Sequence, residues 1–301
     1  MEGLVKLSFY CFTAASLALV ASAVCYIIYQ VGRIKVRRMA LATPEGQTFT
    51  STSAELTNSD TEGFGRFGTM LLWFAVFFSG CAVLTRYIAA GHGPYSNMYE
   101  FSLGFLFAIT LMYGIFEKWY GTRALGAIVL TIAVGMAGYI WSLPKSMREV
   151  DTLIPALQNR PLMTAHVTSA IFAYATFAVA FAAAALYLIN QNRRFRFLPS
   201  QEMLDDIGFR AVTIGFPLLA LVLVLGSIWA YQAWGSYWNW DPKETSCLFT
   251  WLVYAVYLHT RTLRGWRGKR SAIILIIGFA ATMFTYYGNY FFGGLHAYGG
   301  V

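Results

Sequence analysis

Eight stretches of about twenty mostly apolar residues, at 7–30, 67–89, 98–116, 124–143, 163–190, 211–231, 246–263 and 271–291, occupy most of a 301-residue chain. Each is long enough to cross a hydrocarbon core about 30 Å thick as an α-helix. The runs are continuous rather than alternating, and in lipid only helices and closed barrels satisfy the backbone. The expected fold is therefore all-α, a polytopic helical membrane protein with about eight transmembrane helices. With 57 % hydrophobic and only 12 % charged residues, a water-soluble fold is excluded.

Charge placement gives the expected topology. The connections at 31–66, 117–123, 191–210 and 260–270 hold sixteen Lys and Arg against eight acidic residues, whereas the alternate set is balanced at six of each. Short cytoplasmic loops retain basic residues, so both termini are expected on the extracytoplasmic side. The net charge of +8 then reads as topology and contact with anionic lipid, not nucleic-acid binding. The first run lacks a small-residue cleavage pattern and is longer than a signal-peptide core, so it is read as a retained helix.

Between the first two runs, Thr43 to Thr61 is rich in Ser and Thr and is expected to form a flexible cytoplasmic loop. Residues 198–209 suggest a short interfacial helix capped by Ser200, with Met203, Leu204 and Ile207 on one face. Cys11, Cys25, Cys81 and Cys247 show no CxxC spacing, which excludes a zinc or dithiol site and leaves them to pack as small apolar residues.

Five of the nine tryptophans fall within 229–251, in WAYQAWGSYWNWDPKETSCLFTW. An interfacial aromatic belt distributes over all spans. Here Trp234, Gly235, Tyr237, Trp238 and Trp240 share one short connection and run straight into Asp241, Pro242, Lys243 and Glu244. Clustered rings offer stacking area and the polar residues orientation, as a large flat ligand requires.

The histidines differ in expected depth. His92, His166 and His296 lie at outer ends, whereas His259 lies about 13 residues into its span, or roughly 20 Å. Interfacial histidines often serve as polar anchors. Two from different helices beside an aromatic shelf also have the chemistry to hold a haem iron from opposite faces. His259 either snorkels beside Arg261 and Arg264 or ligates an iron with those arginines facing propionates; no second histidine lies at its depth, so a six-coordinate iron there needs a ligand from another protein. Around His92, Asn97 is placed to cap the third span with Glu100 three residues on, giving His92 a supporting role.

These motifs carry a resemblance. GHGPYSNMYE, LMTAHV, WGSYWNWDPKE, YLHTR and GLHAYG resemble, in order and spacing, the motifs of the CcsA/ResC branch (CcsB in some naming) of haem-handling cytochrome c biogenesis proteins. The resemblance covers residue 67 to the C-terminus, and divides the chain into 1–66, a helix and cytoplasmic loop, and 67–301, a haem-handling domain with an outer Trp-rich loop at 229–245. It implies a system II maturation protein in a bacterial cytoplasmic or thylakoid membrane. With a ResB/Ccs1-type membrane subunit, such a protein moves haem b to the outer face for thioether attachment to the CxxCH motif of apocytochrome c, as part of a holocytochrome c synthase. His166 and His296 match the outer axial ligands, His259 the transmembrane ligand of this subunit, and Trp234, Trp238, Trp240 and Asp241 the aromatic shelf. Two other readings are a haem exporter or chaperone without lyase activity and a b-type cytochrome electron-transfer subunit.

Overall fold

The computed structural model describes residues 2–42, 49–150, 152–191, 198–288 and 293–296, without the side chains of 35–42 and 49–58. Among the described residues there are eight α-helices: α1 (Glu2–Ala42), α2 (Phe49–Ala90), α3 (Met98–Tyr120), α4 (Gly126–Ser142), α5 (Arg160–Ile189), α6 (Gln201–Trp234), α7 (Pro242–Leu263) and α8 (Lys269–Tyr287). Among the described residues there is no strand, which bears out the all-α membrane fold. Six of the helices are long and apolar enough to cross a membrane. The other two are α4, whose 17 residues span about 25 Å, and α7, which carries Lys243, Glu244, His259 and Arg261 along its 22 residues.

The expected Thr43–Thr61 loop is not what forms. Residues 43–48 lie outside the described residues, but α2 begins at Phe49, so 49–61 are helical. The physical reason is pairing with α1, which overrides the modest helix propensity of Ser and Thr. Gly32 packs against Thr61, and the Ser22 hydroxyl donates to the Gly68 carbonyl at 2.7 Å. Likewise the segment at 198–209 is no separate helix. Ser200 does cap it, accepting from the Met203 N–H at 3.1 Å, but the helix continues as α6 to Trp234, with Leu204 and Ile207 buried.

The core is centred on α5. Ala173, Ala175, Ala178, Ala180, Ala182 and Ala183 are fully buried, and such small side chains let α3, α6 and α8 approach closely. At the end bearing the basic connections, buried Glu117 of α3 accepts from the Tyr26 and Thr69 hydroxyls at 2.5 Å each and from Tyr113, tying α1, α2 and α3 together. There too Arg261 of α7 pairs with Asp205 of α6 at 2.5 Å. At the Trp-rich end, buried Arg86 pairs with Glu100 at 2.8 Å and donates to the carbonyls of Arg148 and Glu149. Burying a charge pair is justified only when hydrogen bonds satisfy it fully; here it pins the connection after α4 against the start of α3.

Candidate functional site

Three local stops build the Trp-rich end. α6 ends at Gly235, whose φ of 75° gives the left-handed cap that glycine adopts without strain. α7 starts at Asp241 with Pro242 in its first turn, and a capping box with Glu244 satisfies the first amides. α3 starts at Asn97, whose side chain accepts from the Glu100 N–H at 3.1 Å, as the sequence suggests. The Glu100 carboxylate reaches back to the Ser96 N–H, one residue earlier than a capping box requires.

Between these stops lies an open-mouthed cavity, with about 1150 Å³ of empty space when the solvent at its mouth is included. Its wall comes from α3, α5, α6, α7 and the segment after α8. His166 of α5 and His296 of the segment after α8 both line it. So do Tyr237, Trp238, Lys243, Glu244 and Asn97.

His296 is held from three sides. Its ring lies 5.5 Å from Trp229 and 5.0 Å from Trp234, and its Nδ1 is 2.8 Å from Asp241 Oδ1. The other Asp241 oxygen takes the Leu295 N–H at 2.6 Å, where Gly294 leaves the space a Cβ would fill. Burial alone would raise the Asp241 pKa, but the Lys243 amide, the His296 charge and bond and the Leu295 amide together hold it below its ordinary value. Burial pushes His296 down to about 4, with help from the Lys243 charge and against the pull of Asp241. A neutral imidazole facing a carboxylate, which can only accept, must carry its proton on Nδ1. Nε2 therefore keeps its lone pair, the arrangement by which an outer carboxylate orients a metal-ligating histidine.

His166 is seated differently. A Cβ on Gly226 of α6 would stand 2.8 Å from its Cε1, so only glycine leaves room for the ring. Its Nδ1 is buried with no hydrogen-bond partner, and a buried polar atom left so calls for a ligand. Two histidine donors do not make a site for a bare ion, and no cluster of three or more His, Cys, Asp or Glu occurs among the described residues. Two imidazoles on one apolar, aromatic cavity suit an iron whose equatorial positions are already filled by a macrocycle.

The other expected site residues fall elsewhere. Trp234 packs behind His296 against Trp229, and Trp240 is 70 % exposed, outside the cavity wall. His92 occupies a separate small cavity beside Arg86 and Glu100. Its Nδ1 donates to the Gly93 carbonyl at 2.7 Å, and it touches the main site only through Tyr95, 5.1 Å away between ring centres. His259 and Arg261 sit toward the opposite end of α7, His259 exposed and Arg261 engaged by Asp205. Sequence reasoning missed Trp229, only 2 % exposed with its Nε1–H donating to the Ala156 carbonyl at 2.7 Å. It also missed Gly226 and the buried Cys247 on the wall. The glycines within the apolar run of α6, Gly215 and Gly226, are the sequence signal for such close approaches.

Fold and site together define a polytopic helical membrane protein with one two-histidine, aromatic-walled cavity open at an end of the bundle. The family described as Cytochrome C assembly protein matches residues 95–296, and the chain belongs to that family. It is a protein of cytochrome c maturation. Its relatives include the cytochrome c biogenesis protein CcsA of Marchantia polymorpha, 35 % identical over 77 % of this chain and 87 % of that one, and CcsA of Synechococcus elongatus, 33 % identical over 79 % and 89 %. CcsA of Chlamydomonas reinhardtii is 38 % identical over 72 % of this chain, which spans 64 % of that longer relative. The fold resembles the solved Cytochrome c Heme Lyase CcmF, with a TM-score of 0.60 and 18 % identity over 91 % of this chain; this chain covers 46 % of CcmF.

Proposed function

We propose that the cavity receives haem b as substrate, with His166 and His296 as axial ligands to its iron, and presents it for covalent attachment to apocytochrome c. The observation that carries this reading is the pair of imidazoles on one aromatic wall, His296 oriented by Asp241 and His166 seated on Gly226 with its Nδ1 buried and partnerless. Tyr237 and Trp238 supply ring faces for the macrocycle, and Lys243 supplies the cation for a propionate. Asn97 and Glu244 stand at the wall as further polar contacts.

Attachment adds each thiol S–H of a CxxCH motif across a vinyl double bond, with no net redox change. The chain's own residues need supply no nucleophile. Holding the acceptor edge at the cavity mouth makes the addition effectively intramolecular, and positioning of that kind lowers barriers by up to about 7–11 kcal/mol. Release then requires the motif's histidine to displace one of the two imidazoles.

His259 extends the reading. An exposed imidazole on a membrane-spanning helix is costly unless paired, and a ResB/Ccs1-type subunit bringing a second ligand to it would complete a haem site at membrane depth. The Trp-rich end is then extracytoplasmic, as are both termini, in a bacterial cytoplasmic or thylakoid membrane. Co-purification with such a subunit, followed by addition of a CxxCH peptide, tests the reading. Expected are a bis-histidine haem spectrum and thioether-linked product by mass. Transfer of unattached haem alone favours an exporter, and a complex that binds no haem defeats the proposal.

A further inference from the structure

The aromatic wall continues past the cavity. Trp240 stands nearly perpendicular to Trp238, ring centres 5.7 Å apart, with the residue 70 % exposed. Its backbone has φ of 55°, and it is the one non-glycine residue with positive φ among the described residues. For a bulky side chain that conformation costs on the order of 1–3 kcal/mol, and such strain persists where surrounding structure imposes it. Here the imposing group is Glu244. One of its carboxylate oxygens accepts from the N–H of Asn239 at 2.8 Å and from the N–H of Asp241 at 3.3 Å, the two residues flanking Trp240. The clamp springs from the first turn of α7, the same turn that fixes Asp241 under His296.

Both features are unfavourable within the isolated chain: a strained backbone and a large exposed ring. An interfacial belt accounts for an exposed ring but not for a strained backbone that holds it in one position. Close by, Tyr237 stacks on Tyr231, ring centres 4.5 Å apart at 10°, and both are more than half exposed. The cavity mouth, where Tyr237 and Trp238 belong to the wall, is therefore edged by exposed rings held in place. Rigid tyrosine and tryptophan rings bind polypeptide at low entropic cost and dominate the energetics of interfaces. Cytochrome c maturation requires a polypeptide to arrive at the site from outside.

We infer that Trp240, held out by Glu244, is the docking residue for the apocytochrome polypeptide, which it grips beside the cavity mouth, and is not part of the haem wall. This rests on the proposed haem cavity, because the gripped chain must lie where its thiols reach the bound substrate.

The test uses the full-length protein in complex with its membrane partner and the variants Trp240→Gly, Trp240→Asn and Trp240→Phe. Gly and Asn adopt positive φ readily, so the loop is preserved. Measured are haem content by absorbance, the thermal midpoint, retention of the partner subunit and affinity for a fluorescent CxxCH peptide. Expected is a loss of peptide affinity of about tenfold or more in the Gly and Asn variants and near-complete retention in Phe. Haem content and partner retention stay at wild-type levels, and the midpoint does not fall, since Gly and Asn relieve the strain at this position. Unchanged peptide affinity in Gly and Asn overturns the inference. So does haem loss in step with affinity, which places the indole in the haem site, or loss of the partner, which makes the rim a subunit contact. A wild-type complex without haem defeats the cavity reading instead, and the peptide affinities still decide the role of Trp240.

Discussion

At the Trp-rich end, His296 is enclosed by Trp229 and Trp234 and tied to Asp241. About 25 Å along α7 from Pro242, His259 stands exposed in a row with Phe249, Leu252, Val256 and Leu263, at helical spacings of three and four. The first histidine has its orienting carboxylate, its ring contacts and a second histidine on the same cavity wall, all from this chain. The second has an open apolar face on both sides. The difference teaches that this chain surrounds His296 with its own side chains and leaves His259 uncovered; under the proposed function the first is a complete site and the second half of one.

The sharpest way to break that comparison is to remove the ligands in turn. His296→Gly or His166→Gly should abolish haem bound at the cavity and lower cytochrome c yield by at least about a hundredfold, with partial recovery of the spectrum on adding imidazole. Unchanged haem in both variants would refute the ligand assignment. His259→Gly should spare the isolated chain reloaded with haem, since the residue touches none of the cavity. In the partner complex it should remove the haem held at membrane depth, as read from absorbance per complex.

Asp241→Asn keeps the size of the side chain but loses the obligatory acceptor that sets the His296 tautomer. Substitutions of such orienting carboxylates cost about 10–100-fold in metal affinity, and haem titration should show a loss in that range. Gly226→Ala is expected to be milder. The new methyl must displace the His166 ring by some tenths of an ångström, weakening haem several-fold at unchanged helix content by circular dichroism.

The smallest effect is on pH dependence. Free histidine titrates near 6.5, but in the haem-free protein burial keeps the His296 ring neutral down to about 4. His296 released from the cavity wall binds a proton more tightly than His296 packed against Asp241, so the attachment of residues 293–296 to the wall is at full strength above pH 6.5 and weakens progressively as pH falls toward 4. Nuclear magnetic resonance of the His296 ring should show no titration between pH 7 and 5.

Parts of this were legible in the sequence because they are local. The apolar runs mark the helices, Asn97 and Ser200 mark starts, and the clustering of tryptophans marks the end that carries the cavity. His166 and His296 were readable as a pair because both lie at outer helix ends. What failed to show was the fate of individual rings. Trp229 and Trp240 look alike in a tryptophan-rich stretch, yet one is sealed under His296 and the other stands in solvent. Nor did the Ser/Thr-rich segment announce its helix, because the α1 partner that supports it begins more than forty residues earlier.

The amino-acid order by itself therefore determined a membrane-spanning helical bundle with an aromatic, histidine-bearing end, since hydropathy and capping act between near neighbours. Tertiary structure alone decided that Asp241 meets His296 across 55 positions, that Gly226 makes room for His166, and that His92 and His259 stay outside the cavity. Those outcomes depend on how helices distant in sequence pack side by side, and a one-residue rotation of any helix moves its side chains by about 100°.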